Sequence, residues 1–162
     1  MTRIVTMIAL AGVLAASIPA PADAARKKRN TIAATVNGKP FRWSGRLVPM
    51  SNDLSGLIVV GTKAVLPGKV ARTIGFGCPI YLPNFTVPGG APQCSGSYTE
   101  TKTGRHVSIK SWLANSGEMQ VTIESFDGTR VTGSFSGTAQ PVGDNPNGPV
   151  SLEGSFSGKV QF

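Results

Sequence analysis

The chain has 162 residues, of which sixteen are Lys or Arg, eight Asp or Glu and one His, giving a net charge of +8 at pH 7. Two cysteines and one histidine are too few ligands for a zinc site, and no Gly-x-Ser-x-Gly, Gly-x-Gly-x-x-Gly or P-loop motif is present. We therefore expect no catalytic, cofactor-binding or metal site. Twenty Gly, twelve Pro and only 15% charged residues are typical of a turn-rich β protein.

Residues 1–24 match a secretory signal peptide. Arg3 supplies the positive start, and Ile4 to Ile18 is an apolar segment shorter than the roughly 20 residues of a membrane span. Ala22-Asp23-Ala24 offers small residues at the cleavage positions. We expect cleavage after Ala24 and a periplasmic or secreted mature protein that is not integral to a membrane; the alternative is an uncleaved anchor.

We expect residues 25–30 to form a flexible basic arm, to which Arg26, Lys27, Lys28 and Arg29 contribute four positive charges. Near an anionic membrane each cation contributes about 1 kcal/mol, so the arm predicts weak attraction to an anionic envelope surface or polymer. The alternative is a solvated tail without a target. Nucleic acid is not the expected partner, because export removes it and no aromatic residues interleave the cations.

The remaining residues, 31–162, are expected to form one β domain that starts with a hairpin. Thr31 to Val36 alternates between apolar and polar residues, and Asn37-Gly38 predicts a tight turn. In the next strand Phe41 and Trp43 share one parity and are expected in the core. Arg42 and Arg46 share the other parity, as a solvated face or, alternatively, a small basic patch.

A continuous apolar run, Leu57 to Val60, predicts a strand buried on both faces, and the strand that ends at Cys78 leads into a Pro/Gly-rich loop from Pro79 to Gly96. In an oxidising compartment we expect Cys78 and Cys94 to form a disulfide. Three apolar side chains of the loop are a predicted contact surface, with covering of a barrel end as the alternative: Tyr81, Leu82 and Phe85.

Two later segments predict a strand and a hairpin. Arg105 to Leu113 alternates, and we expect the side that carries His106, Lys110 and Trp112 to face solvent. The hairpin loop Phe126-Asp127-Gly128, with Gly128 left-handed, places Ile123 opposite Val131.

Two strands share one inner pattern in which glycine flanks phenylalanine. The pentapeptide Gly-Ser-Phe-Ser-Gly occurs at 133–137 and again at 154–158, and alternation is faultless from Val150 to Phe162. Glycine beside phenylalanine on a concave face allows a sheet to curl. We expect one antiparallel β-barrel or a strongly curled β-sandwich of about eight to ten strands, and we favour the barrel.

Three segments resemble a family of uncharacterised bacterial secreted, often lipoprotein-like, all-β domains. They are Thr35 to Phe41 with its VNGK-x-F strand, Ile123 to Ser136 with a hairpin and a glycine–Phe strand, and Val150 to Ser157 with a second such strand. The resemblance spans roughly residues 31–161. It implies a bacterial envelope protein with an all-β fold, and it supplies neither an activity nor site residues. The chain lacks the lipid-acceptor cysteine of lipoproteins.

Together these features predict an exported, non-catalytic binding or envelope-interaction protein. Two alternatives have other requirements. A small-molecule carrier needs an apolar barrel cavity, and a carboxylate-dependent hydrolase needs two acids that face each other across a cleft.

Overall fold

The computed structural model describes residues 29–45, 50–53, 56–63, 69–104 and 106–162. The predicted signal peptide, together with Arg26, Lys27, Lys28 and Arg46, lies outside these ranges. The strands are β1 (Asn30–Val36), β2 (Lys39–Gly45), β3 (Met50–Asp53), β4 (Gly56–Lys63), β5 (Val70–Cys78), β6 (Gly89–Lys102), β7 (Ser108–Phe126), β8 (Arg130–Val142) and β9 (Val150–Lys159). Among the described residues, no helix is long and apolar enough to cross a membrane.

All nine strands belong to one antiparallel sheet in the order β2-β1-β9-β8-β7-β6-β5-β4-β3, which curls into a nearly closed barrel. The curl brings β4 against β1 and β2: a Cβ added to Gly61 would meet Ile32 Cδ1 at 2.7 Å and Trp43 Cγ at 3.3 Å. The predicted all-β fold and the preference for a barrel are therefore confirmed.

The barrel interior is built around three phenylalanine rings. Phe76 lies with its ring centroid 5.1 Å from that of Phe135 and 5.1 Å from that of Phe156, and all three side chains are buried. Each of the last two rings lies opposite a glycine on the neighbouring strand, Phe135 opposite Gly154 and Phe156 opposite Gly133. The glycine–Phe faces of β8 and β9 both point inward, as their alternation predicts.

The first hairpin matches its prediction, and two nearby details differ. Asn37 and Gly38 both have positive φ, 47° and 73°, which suits a two-residue turn. Asn30 belongs to β1 rather than to the basic arm; it is buried, and its Oδ1 accepts a hydrogen bond from the Lys159 N–H at 2.7 Å. Ile58 is 44% exposed, so the prediction that β4 is buried on both faces is wrong. This strand has solvent on its outer side, as barrel strands do.

Strand β7 reverses the predicted faces of its first half. Trp112 is buried whereas Ile109 is 64% exposed, so the prediction that the Trp112 side faces solvent is wrong. The cause is an irregularity between Leu113 and Met119, where Gly117 has a φ of 87°. It shifts the alternation, so that even-numbered positions face the core before it and odd-numbered positions after it.

The β7–β8 hairpin has a different register from the predicted one. Ile123 lies opposite Gly133 rather than Val131, a slip of two residues, although Gly128 is left-handed as expected, with a φ of 85°. Because side chains alternate with a period of two, this slip leaves every inward residue inward. A second irregularity, between Ile123 and Ser125, sets the observed pairing.

The predicted disulfide is present, and the loop that it encloses is shorter than expected. Cys78 and Cys94 are bonded, with their Cα atoms 4.2 Å apart. Strand β6 begins at Gly89, so the irregular segment covers only residues 79–88, including a short 3-10 turn at Leu82–Asn84. The Gly89-Gly90-Ala91 part of the predicted loop pairs with β7 instead.

Candidate functional site

The 79–88 segment closes one end of the barrel. Ile80 and Leu82 are buried there, and Phe85 is packed against the core. The prediction that Leu82 belongs to an exposed contact surface is therefore wrong, and the alternative, that this loop covers a barrel end, describes it. Tyr81 alone of the three predicted contact residues is exposed. Apolar loop residues next to an open barrel end are more stable inside it than in water.

The first strand begins at this same end, directly after Arg29, and cations and aromatic rings surround its start. The Arg130 guanidinium donates a hydrogen bond to the Arg29 carbonyl at 3.2 Å, and Arg130 lies opposite Lys159 in the sheet. Phe162 lies 6.4 Å from Tyr81 and 6.1 Å from Phe126, measured between ring centroids. We call this surface the basic-aromatic end and define it by six residues: Arg29, Tyr81, Phe126, Arg130, Lys159 and Phe162.

The rings of the basic-aromatic end are unusually exposed for their size. Phe162 is 62% exposed and Tyr81 37%. Although the sequence alternation predicts Phe162 on the inner face, β9 ends at Lys159, Val160 is buried and Phe162 lies beyond the sheet. The two exposed rings contact one another, and Phe162 also contacts Phe126. Their exposed faces are available to a partner.

One carboxylate also belongs to the tip of the β7–β8 hairpin. Asp127 Oδ1 accepts the N–H groups of Arg130 at 2.6 Å and Thr129 at 2.9 Å. These backbone hydrogen bonds, with that of Arg130 first, lower the pKa of Asp127. The group thus stabilises the turn, and the three cations of the basic-aromatic end outnumber it.

The opposite end of the barrel contains a cavity of about 410 Å³. Its walls come from the β1–β2 hairpin, from the segment after β8 and from the inner faces of β5, β6 and β7. We call it the upper cavity, and its lining comprises Val36, Asn37, Lys39, Pro40, Phe41, Arg72, Tyr98, Glu100, Trp112, Asn147, Gly148, Pro149 and Val150. A volume of this size is typical of small-molecule sites.

Polar side chains in the upper cavity form one connected network. Tyr98 Oη donates to Glu100 Oε1 at 2.7 Å, and Arg72 Nε donates to the same oxygen at 3.2 Å. Burial, with the Glu100 hydrogen bond next, raises the pKa of Tyr98 above its ordinary value, so the hydroxyl stays protonated and donating. The Trp112 indole N–H donates to the Gly148 carbonyl at 2.9 Å, and the Trp112 and Tyr98 rings lie 5.3 Å apart.

The sequence does not predict this cavity, because its alternation places Trp112 on the solvent face, whereas Trp112 is buried. Tyr98 and Trp112 lie directly opposite each other on β6 and β7, and a Tyr–Trp pair at matched positions of two neighbouring strands was the available signal. The only histidine, His106, is exposed and does not line the upper cavity.

The remaining predicted site residue lies on the outer face of the barrel. Arg42 borders a depression of about 610 Å³ with mixed polar and apolar lining, which also includes Thr35 and Glu153, whose side chains share a hydrogen bond of 3.1 Å. The depression is open and shallow, and the structure does not bring Arg42 to the basic-aromatic end or to the upper cavity.

Within the described ranges no three His, Cys, Asp or Glu side chains are grouped as they would be to hold a metal ion. Among the described residues that line the upper cavity, Glu100 is the one carboxylate. Comparisons with protein-family models, curated proteins and solved structures find no match for this chain.

Proposed function

We propose that the mature protein is an exported, non-catalytic binding protein that attaches to an anionic surface of the bacterial envelope through its basic-aromatic end. One observation carries the proposal: Arg29 enters the barrel beside Arg130, at the end where Tyr81 and Phe162 are exposed. Arg26, Lys27 and Lys28 directly precede Arg29 in the sequence, so together with Arg130 and Lys159 there are six cations that lie at this end or adjoin it in the sequence. These six positive charges favour an anionic partner.

Cations and aromatic rings make complementary contributions at a membrane surface. Each Lys or Arg near an anionic leaflet contributes about 1 kcal/mol, and this contribution weakens with salt. Tyr rings partition into the headgroup region, where an apolar body and a polar hydroxyl are both accommodated, and a Phe ring beside them adds apolar area for insertion. The pair Tyr81 and Phe162 supplies such rings within 6.4 Å of each other.

Export is supported by the signal-like residues 1–24, by the resemblance to secreted bacterial domains and by the Cys78–Cys94 disulfide. Disulfides persist in oxidising compartments such as the periplasm. Among the alternatives, a carrier that encloses its ligand at the centre of the barrel would need an empty apolar lumen there. The upper cavity lies at one end of the barrel, whereas four buried side chains occupy that centre: Phe135, Leu152, Phe156 and Val160. A hydrolase would need a second acid, and Glu100 already accepts hydrogen bonds from Tyr98 and Arg72.

The test measures vesicle binding of the mature chain, residues 25–162. Sedimentation with phosphatidylcholine vesicles, with and without phosphatidylglycerol, should show binding that needs the anionic lipid and falls with salt. Replacing Arg26, Lys27, Lys28 and Arg29 by Gln should lower the partition coefficient by roughly two to three orders of magnitude. An unchanged isotherm for this variant would refute the proposal.

A charge-matched control separates this surface from general basicity. Replacing four exposed cations elsewhere by Gln removes the same net charge: Lys39, Arg42, Lys63 and Lys102. We expect this control to bind at least about tenfold more tightly than the arm variant, because it keeps the arm. Equal losses in the two variants would show that net charge, rather than the basic-aromatic end, determines binding.

The aromatic contribution is tested separately. Replacing Tyr81 and Phe162 by Ala should weaken binding at high salt, where the cations are screened. The control Val107→Ala changes an apolar residue that is 66% exposed but lies near the opposite end of the barrel, in the segment before β7. A loss in that control as large as the loss in the double variant would argue against insertion of the two rings.

A further inference from the structure

The guanidinium group of Arg72 lines the upper cavity, and only its Nε edge is hydrogen-bonded within the described part of the protein. Its Nε donates to Glu100 Oε1 at 3.2 Å, and Tyr98 Oη donates to the same oxygen at 2.7 Å. Among the described residues, the two Nη groups of Arg72 make no hydrogen bond, and the side chain is 42% exposed. A guanidinium fixed in this way offers a planar pair of donors that matches the two oxygens of a carboxylate.

The charges around the upper cavity also favour an anion. Lys39 and Arg72 line it with two positive charges, and Glu100 adds one negative charge, which leaves an excess of one positive charge. The Glu100 oxygen that faces Arg72 already accepts two hydrogen bonds. A cationic ligand would therefore meet two like charges and a carboxylate of which one oxygen already accepts two hydrogen bonds.

Much of the remaining lining of the upper cavity is apolar, beside the amide side chains of Asn37 and Asn147. Buried Phe41, Trp112 and Val150 form part of the wall, and Pro40 and Pro149 form the rim. Apolar walls with a few convergent polar groups are the usual composition of a small-molecule site. Because Trp112 N–H is already bonded to Gly148, the ligand meets the walls through its apolar part and Arg72 through its charge.

We propose that the upper cavity binds a small organic carboxylate with an apolar ring or chain, its carboxylate paired with the Nη groups of Arg72 and with Lys39. The site is distinct from the basic-aromatic end: β8 begins at that end with Arg130, and the 147–150 wall follows β8 at the other end. Ligand binding and surface attachment therefore use opposite ends of the barrel, and either proposal can fail without the other.

The two tryptophans provide a built-in reporter and control. Trp112 lines the upper cavity and Trp43 does not. In a ¹⁵N–¹H titration of the mature chain with sodium benzoate, we expect the Trp112 indole signal to shift saturably while the Trp43 signal stays in place. Benzamide, which has the same ring and shape without the charge, should bind at least tenfold more weakly.

Three variants test the assigned residues. Arg72→Gln should raise the Kd for benzoate about tenfold or more, since a hydrogen bond between charged groups is lost, and Lys39→Gln should raise it severalfold. Arg42→Gln, an exposed arginine outside the upper cavity, should leave it unchanged. Lys39 is exposed, so its variant remains informative if Arg72→Gln unfolds. No shift of the Trp112 signal, equal binding of benzamide, or an unchanged Kd in both cavity variants would overturn the proposal.

Discussion

The pairing of glycine with phenylalanine in the barrel core makes Gly133 a sharp test of the fold. A Cβ added there would meet Phe156 Cζ at 2.6 Å and Cε1 at 2.8 Å, and it would also contact the Thr122 carbonyl oxygen. Phe156 cannot move away easily, because its ring packs on Phe76 with the centroids 5.1 Å apart. The Thr122 oxygen belongs to the backbone of β7, so relief there would require displacement of a strand.

We expect Gly133→Ala to destabilise the protein by about 1–2 kcal/mol. Forcing an extra carbon into a packed core costs about 1–3 kcal/mol. The loss of glycine's freedom in the unfolded chain offsets about 0.4–1 kcal/mol of that cost. For a domain of this size, the net effect corresponds to a fall in Tm of about 3 to 8 °C.

Urea unfolding followed by tryptophan fluorescence measures this change, with a shift in midpoint at constant slope indicating a change in stability alone. The matched control is Gly90→Ala, because Gly90 also lies in a strand but a Cβ there would have no atom within 4 Å. That variant should be neutral or slightly more stable. If Gly133→Ala is as stable as Gly90→Ala, the inward packing of Phe156 against Gly133 is wrong.

Two further predictions concern the disulfide and Tyr98. Replacing both Cys78 and Cys94 by Ala should cost about 3 kcal/mol, from the sixteen-residue separation that the bond closes, and urea unfolding would show it; a loss within error would mean that the closed loop is already ordered in the unfolded chain. Because the pKa of Tyr98 is raised in the folded state, the unfolded chain loses its proton first as pH rises, so this residue lowers stability above about pH 10. Tyr98→Phe should flatten the alkaline fall in stability, and an identical pH profile would count against the burial of the Tyr98 hydroxyl and its hydrogen bond with Glu100.

Local patterns were sufficient where neighbouring residues alone set the structure. The Asn37-Gly38 turn, the left-handed Gly128 and the alternation of β8 and β9 were all predicted because each depends on backbone freedom or on a period of two. The Cys78–Cys94 bond followed from having only two cysteines to pair. The basic arm is recognisable as four consecutive cations, but the sequence does not predict that Arg29 lies beside Arg130.

Predictions failed where the alternation was interrupted. An irregularity between Leu113 and Met119 exchanged the faces of β7, so Trp112 was assigned to solvent and the upper cavity was missed. The buried position of Leu82 depends on an open barrel end that only the closed sheet creates. A β-bulge and a contact with a distant part of the chain cannot be recognised from the few residues on either side of them.

The sequence by itself determined an all-β chain with inward glycine–phenylalanine strands, a basic segment and one disulfide, because composition, period and residue count are local properties. The tertiary structure alone decided that Arg29 enters beside exposed rings, and that Arg72, Glu100 and Trp112 share one cavity. These groupings join residues far apart along the chain. They arise from strand order and register, which depend on the packing of the whole barrel.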